Sequence, residues 1–594
     1  MKQKRSWIVA LVLALVLAQL PWHRRPAQAL TYTVTSTNDS GTGSLRQAIL
    51  NANTNAGADT ISFNILMSDS GCNAGTGVCT IQPINALPAL TDDDTTIDGY
   101  TQTGAVQATS TTPAVLKIEL NGTNAGLGSS GLEITSADNV IRGLVIRNFD
   151  LYGIAIGGMG NTVAGNHIGT DADGTADLGN RNGVRISNGA QNNIIGGDEP
   201  GERNVISGND GHGVSIYGSG TTGNTISGNY IGLAANGADP LGNSLSGVYL
   251  YLNSQNTTVG GDTEGERNVI SNNGEAGITI YLATSANTVS GNYIGTDASG
   301  TLDRGNAAEG ISINHGQCNT IEHNVISGNG EEGVCISADG ATGNVISGNY
   351  IGTDANGTAD LGNAYDGVRI CEGAYNNTIG GDTEGERNVI SGNDLYGVRI
   401  YGNGTDANTV SGNYIGTDVN GTADLGNAWN GVYIHSGAQN NTVGPNNVIA
   451  HNGWDGVEVN GSSTSGNAIT QNSIFSNTMG MGIDLVSGAN GGIIAPVIVT
   501  TTQGSVNIVG TACPGCTVEV FRNSDTDGEG ETYVGNTTAT AGGAFTVTVS
   551  SLSNPYLTAT ATDAISGTSE FSAVFTFTVT GGGNVYLPII TKNH

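Results

Sequence analysis

"GVSIYGSGTTGNTISGNYIG", Gly213–Gly232, holds three short runs in which apolar and small polar residues alternate: GVSI from Gly213, NTIS from Asn224 and NYIG from Asn229. Glycine and asparagine punctuate the runs, and helical periodicity is absent, so each run reads as a strand ended by a turn. The pattern recurs. Copies of N-x-[IV]-[SA]-G-N-x-I-G begin at Asn161, Asn224, Asn287, Asn344 and Asn408, in steps of 63, 63, 57 and 64 residues. The tetrad Gly-apolar-x-apolar occurs thirteen times between Gly131 and Gly482, and its closest copies are 22 or 23 residues apart.

A turn of about 22 residues therefore carries insertions on top of the basic repeat. One is the loop of "GNYIGTDANGTADLGN" (Gly348–Asn363); the other is G-G-D-x-x-G-E-R-N-V-I-S, beginning at Gly196, Gly260 and Gly380. "NTIEHNVISGN" from Asn319 lacks the second insertion and accounts for the short step. Three strands per turn, stacked turn on turn, make a parallel β-helix in which no coil buries its apolar face alone. Recurring asparagines suit its corners, because they accept left-handed φ and bond along a column. An open end would be an unpaired strand edge and needs a cover. "SLRQAILNAN" supplies a helix for it, with Ser44 as cap and Leu45, Ala48, Ile49 and Ala52 on one face.

Thr33–Phe63, "TVTSTNDSGTGSLRQAILNANTNAGADTISF", and Leu87–Ala105, "LPALTDDDTTIDGYTQTGA", resemble the opening of bacterial exported proteins with right-handed parallel β-helix repeats, including those with a CSLREA-type motif. Gly43 and Gln47 stand where that motif has Cys and Glu. The resemblance spans about residues 30–490 and implies an all-β, right-handed solenoid. It leaves activity open, because such solenoids include pectate lyases, polygalacturonases, epimerases, phage tailspikes and adhesins. Alternating strands after Ile493 look like a bacterial immunoglobulin-like sandwich. The expected organisation is a signal peptide over 1–29, a cap and first coils over 30–130, the repeats over 131–492, the sandwich over 493–580 and a tail over 581–594.

Lys2, Lys4 and Arg5, an apolar run from Trp7 to Leu20, and Ala27-Gln28-Ala29 form the export signal; the run falls short of a bilayer span. A secreted or cell-surface monomer is expected. The formal charge of −32, with only 12% charged residues, disfavours nucleic acid, while 37% hydrophobic content in regular alternation argues against disorder. In an exported chain, Cys72 with Cys79 and Cys513 with Cys516 read as local disulfides; Cys318, Cys335 and Cys371 remain unassigned.

In each tetrad the residue between the apolar pair, and the one after it, point outward. The first column includes Arg185, Tyr249, Arg369 and Arg399; the second runs through Tyr217, Tyr251, Tyr281 and later Tyr401. Tyrosines beside arginines can stack on sugar rings and bond their hydroxyls, so Tyr217, Tyr249, Tyr251, Tyr281, Tyr401, Arg369 and Arg399 form the candidate face for a polysaccharide or cell-surface polymer. The bland alternative is an aromatic shield over the sheet. Cleavage is the competing function. A glycosidase needs two paired carboxylates, and these outward columns hold no close group: Glu133 stands apart, only Glu458 and Asp484 fall on adjacent rungs, and Asp366, Asp394 and Asp455 read as turn residues. A lyase would draw on Arg369 and Arg399. Calcium is the cofactor that the insertion loops would take, through Asp171, Asp173, Asp177, Asp354, Asp360, Asp418 and Asp424, although Ala234 replaces the first aspartate of one copy. "GDTEGER" is expected to pair its own acids with its own arginine.

Overall fold

The structure, a computed structural model, describes residues 28–502, 506–549 and 555–576. The expected signal peptide falls outside them except for its last two residues, and the expected tail falls wholly outside. Among the described residues no helix is long and apolar enough to cross a membrane.

The chain winds into a right-handed parallel β-helix with three faces. Sheet A has 15 strands, from Thr31–Val34 to Ala468–Ile469; sheet B has 14, from Cys79–Ile81 to Ser473–Phe475; sheet C has 13, from Leu132–Ile134 to Ile483–Val486. The tetrads are equivalent rungs of sheet C, so that Val248 lies opposite Val214 and Ile278, and Tyr251 opposite Tyr217 and Tyr281. Their apolar residues enter one continuous core in which Val214, Val248, Ile278, Ile311 and Val334 are fully buried. Burying each such side chain contributes about 1.5–3 kcal/mol. The leading glycine is required by space: a Cβ on Gly367 would lie 2.5 Å from the Cγ2 of Ile390 and 2.7 Å from the carbonyl oxygen of Gly397.

At the corners the recurring asparagines form three buried ladders. Between sheets A and B the ladder runs unbroken from Asn166 through Asn204, Asn229, Asn268, Asn292, Asn324, Asn349, Asn388, Asn413 and Asn447 to Asn472. In it the Oδ1 of Asn349 accepts the backbone N–H and the side-chain amide of Asn324, both at 3.0 Å. Its Nδ2 donates to Ile321 O at 2.8 Å and to Asn388 Oδ1 at 3.0 Å. The B–C corner repeats this from Asn180 to Asn477. The C–A corner does so from Asn139 to Asn490, with one break at Thr257, whose buried hydroxyl has no partner.

Both ends are closed. The helix Leu45–Ala52 buries Leu45, Ala48, Ile49 and Ala52, and the Oγ of Ser44 accepts the N–H of Gln47 at 3.2 Å. After Val486 the chain forms two antiparallel sheets that share a core of Ile508, Val547, Val518 and Leu557. This sandwich seats on the last coil: the Glu529 carboxylate accepts the N–H of Asn477 at 3.1 Å, and Glu519 accepts Gln471 N–H at 3.0 Å and the Thr470 hydroxyl at 2.6 Å. The Asn490 amide donates to Thr568 O at 2.9 Å. The disulfides Cys72–Cys79 and Cys513–Cys516 are formed, and Cys318, Cys335 and Cys371 are free.

Both insertions fold over the outside of sheet B. Arg203, Arg267 and Arg387 of the G-E-R loops lie 4.4, 4.2 and 4.3 Å from the ring centres of Tyr230, Tyr293 and Tyr414. The expected pairing within "GDTEGER" is thus largely replaced by cation–π contact with the next rung; only Arg267 stays near an acid of its loop, Glu264, at 3.8 Å. The D-x-x-G-T loops cover the same tyrosines and bond to one another, Ala298 N–H to Gly237 O and Ala355 N–H to Gly300 O, each at 2.9 Å.

Two outcomes follow for stability. Asn349→Ala should cost about 3 kcal/mol in chemical denaturation, because it strands several buried groups at once, whereas Thr257→Asn should add about 1 kcal/mol by mending the broken ladder. Burial, with Asp527 and Asp525 nearby, pushes the Glu529 carboxyl up to about 7. The fold therefore holds this proton more tightly than the unfolded chain does, so the contribution is present in acid and fades as pH rises through about 7. Unfolding followed from about pH 5 to about pH 8 should show that loss in the native chain and a flatter profile in Glu529→Gln.

Candidate functional site: the outer face of sheet C

The three faces differ outside as much as they agree inside. Sheet A presents mainly a column of threonines, including Thr225, Thr258, Thr288 and Thr320, and sheet B lies beneath the insertions. Sheet C carries an uncovered surface on which aromatic and charged side chains gather. A third column joins the two expected there. The chain bends at the leading glycine, so the residue before it also reaches this face: Tyr152, His212, Glu332, Asp366, Tyr396 and Asn430.

Two aromatic stacks result. In the first, His212 stacks on Tyr249 at 4.4 Å, Tyr249 on Tyr251 at 5.4 Å and Tyr251 on Tyr281 at 5.8 Å, with His315 edge-on at the end. The expected column is corrected in one place. Tyr217 keeps its register opposite Tyr251 but lies instead over Arg185, 4.2 Å from ring centre to guanidinium. In the second stack His435 lies between Tyr401 at 5.0 Å and Tyr433 at 4.3 Å; Tyr433 stacks on Tyr396 at 4.9 Å, and Trp429 on Trp454 at 5.6 Å. Arg399 crosses this cluster, 4.6 Å from the Tyr401 ring, and its Nε donates to His435 Nε2 at 3.1 Å. Burial and the Arg399 charge push the His435 pKa down to about 4, which keeps the imidazole neutral and able to accept. Trp429 and Trp454 are 41% and 45% exposed, large values for tryptophan.

Arg369 and Arg399 are neighbours in register, as the lyase reading requires, but each is tied to a carboxylate of the preceding rung. Arg369 bonds to Glu332, and Arg399 lies 3.7 Å from Asp366; these carboxylate side chains are 2% and 0% exposed. Burial pushes Glu332 up to about 7 and Asp366 to about 6 against the pull of the arginines. The expectation that the face holds no grouped carboxylates is overturned, because ligand atoms of Glu309, Glu331 and Glu332 lie within 4.8 Å of one another, with Asp366 one rung on. Two of these residues precede a leading glycine, where alternation counted from the strand does not reach; Asp366 read as a turn cap for the same reason. Cys335, buried, sits 3.4 Å from an Arg369 nitrogen. Glu458 is held by the amides of Asn430 and Asn460 at 2.6 and 3.1 Å, opposite Asp484.

The aspartates proposed for calcium do not converge. The Oδ1 of Asp354 accepts the N–H groups of Thr358 and Ala359 at 2.8 and 3.0 Å, and Asn356 donates to its Oδ2 at 2.8 Å. Burial would raise this carboxyl, but those bonds outweigh it and hold it below the usual range. Asp418 repeats the pattern, and Asp171 accepts the N–H groups of Thr175 and Ala176. Asp177, Asp360 and Asp424 each accept the N–H two residues on, while Asp173 is exposed. The loops are built by their aspartates.

No described protein family and no curated protein sequence matches the chain. Solved structures similar to it include the Dettilon tailspike protein, at 13% identity and a TM-score of 0.42, with 89% of this chain and 92% of that one covered. The A-module of a mannuronan C-5 epimerase from Azotobacter vinelandii is 15% identical, with a TM-score of 0.30 and coverage of 77% and 96%. A pectate lyase is 14% identical, with a TM-score of 0.24 and coverage of 72% and 80%. These likenesses concern architecture and assign this chain no activity.

Proposed function

We propose that the protein is an exported, cell-surface or secreted scaffold that binds a polysaccharide along the outer face of sheet C. The observation that carries this reading is the concentration of stacked tyrosines, histidines and arginines on sheet C, a face that the insertions leave bare, with the exposed Trp429 and Trp454 beside them. Exposed aromatic area on a polar chain costs free energy unless it is covered, and the flat apolar face of a sugar ring covers it. Within each stack the rings hide one another's faces and offer edges and hydroxyls. Trp454 ends its stack and offers a face. The arginines supply fixed donors for sugar hydroxyls, because Glu332 and Asp366 neutralise them from beneath and hold them in place.

The same burial keeps two of the face's carboxylates out of cleavage chemistry. A proton donor must reach the glycosidic oxygen, and Glu332 and Asp366 lie sealed under their guanidinium partners.

On an array of neutral and acidic glycans, the chain should be retained by a subset. Trp454→Ala should weaken that retention about tenfold, and Thr409→Ala on sheet A should leave it unchanged. Release of new reducing ends by the native chain, abolished in Glu332→Gln, would replace the binding reading with a catalytic one.

A further inference from the structure

Arg185 occupies the same outward position as Arg369 and Arg399, six rungs before Arg369, or about 29 Å at the spacing of adjacent strands. Each of the three guanidinium groups meets the residue that precedes the leading glycine one rung earlier. For Arg369 that residue is Glu332 and for Arg399 it is Asp366. For Arg185 it is Tyr152, whose hydroxyl bonds an Nη and whose ring centre lies 4.8 Å away. On the other side lies the Tyr217 ring, at 4.2 Å. Among the described residues no carboxylate lies within ion-pair distance of Arg185, and its buried Nε has no hydrogen-bond partner. The repeat therefore places a cation at a position where it twice supplies a counter-charge, and here it supplies two rings instead.

Resting on the binding reading above, we propose that the Arg185 guanidinium, gripped between Tyr152 and Tyr217, receives the carboxylate of an acidic sugar in the bound polymer. Ring contact on two sides fixes the plane of the fork without neutralising it, and a planar fork matches a carboxylate by two parallel hydrogen bonds. The far end of the face sets the complementary limit. Glu309 and Glu331, half-buried and outside the Arg369 and Arg399 pairs, repel a second carboxylate there, so the polymer carries acidic residues singly among neutral ones and is not a continuous polyuronate.

The test uses immobilised heteropolysaccharide fragments that contain isolated glucuronate, their carboxyl-reduced counterparts, sulfated counterparts and a homopolyuronate. The native chain should hold the glucuronate fragment about tenfold more tightly than its reduced partner, with an advantage that shrinks as salt rises. Arg185→Gln should erase the advantage, and Arg185→Lys, which keeps the charge and loses the fork, should keep part of it; thermal unfolding confirms that both variants are folded. Equal retention of the carboxylated and reduced fragments, or an unchanged preference in folded Arg185→Gln, overturns the assignment. Stronger retention of the sulfated fragment or of the homopolyuronate overturns it as well. If neutral fragments bind and Trp454→Ala releases them, the binding face stands whatever Arg185 does; if no glycan is retained, both readings fall.

Discussion

The buried corner amides are the constraint on which the rest depends. Each asparagine Oδ1 accepts two N–H groups from the rung before it, and each Nδ2 passes the bond to the rung after. A buried amide left unpaired costs more than its bond contributes, so the coils bring an asparagine to the same place at each corner, with Thr257 the one break among the three ladders. This turns a flexible glycine-rich chain into a column of fixed pitch. The ladders also explain how the ends are chosen. The B–C ladder finishes on the Glu529 carboxylate and the C–A ladder on Thr568 O, both from the sandwich, so the closing module terminates a hydrogen-bond series as well as covering an apolar core.

A fixed pitch restricts where extra sequence can go. An insertion must leave one ladder and return to the next without moving either. Five positions separate Asn324 from Asn329 across the B–C corner, and fourteen separate Asn349 from Asn363, yet all four residues occupy the same ladder geometry. The A–B corner stretches likewise between Asn377 and Asn388, on a rung whose B–C corner is short. Long corners of the two kinds alternate except on coils such as that from Asn319 to Asn329, where both are short, so each loop has free surface beside it. Both corners flank sheet B, and both loops end up over its tyrosines. The bareness of sheet C is therefore a consequence of insertion placement, and the candidate binding face is defined as much by where loops are missing as by what it carries.

This division marks what could be read from the chain. Strand alternation, the tetrad rungs, the capping helix and the stacked asparagines are local or strictly periodic, and they were legible because each repeats the same short-range rule. The site was half legible. Arg369, Arg399, Tyr249, Tyr251 and Tyr281 come directly from alternation. The column before the glycine does not, because the bend there changes which side a residue faces. Glu332 and Asp366 were lost for that reason, as were Tyr396 and Tyr152. The loop arginines failed differently. Acids within "GDTEGER" are the nearest charges in sequence, but the tyrosine of the following rung is nearer in space, and a ring over a partly buried guanidinium costs less desolvation than a second buried charge. Tyr217 shows a third limit: register fixed its Cα, while the choice between a neighbouring ring and Arg185 rested on side-chain rotation.

The electrostatics of the face follow from the same repetition. A chain with a formal charge of −32 repels acidic polymers at long range. Screening removes most of that repulsion beyond about 8 Å in physiological salt, so local groups decide what is held. Along sheet C those groups change in order: an uncompensated guanidinium between rings, then a neutral aromatic stack, then arginines cancelled by buried acids beside the Glu309–Glu331–Glu332 cluster. Because the rungs are locked by the amide ladders, this order is fixed in space before any ligand arrives, and little ordering of the protein is needed on binding. A flexible surface with the same composition would average its charges. The solenoid instead gives the face a direction, with one end suited to an anion and the other to neutral sugars, and so gives a bound chain a reason to lie one way round.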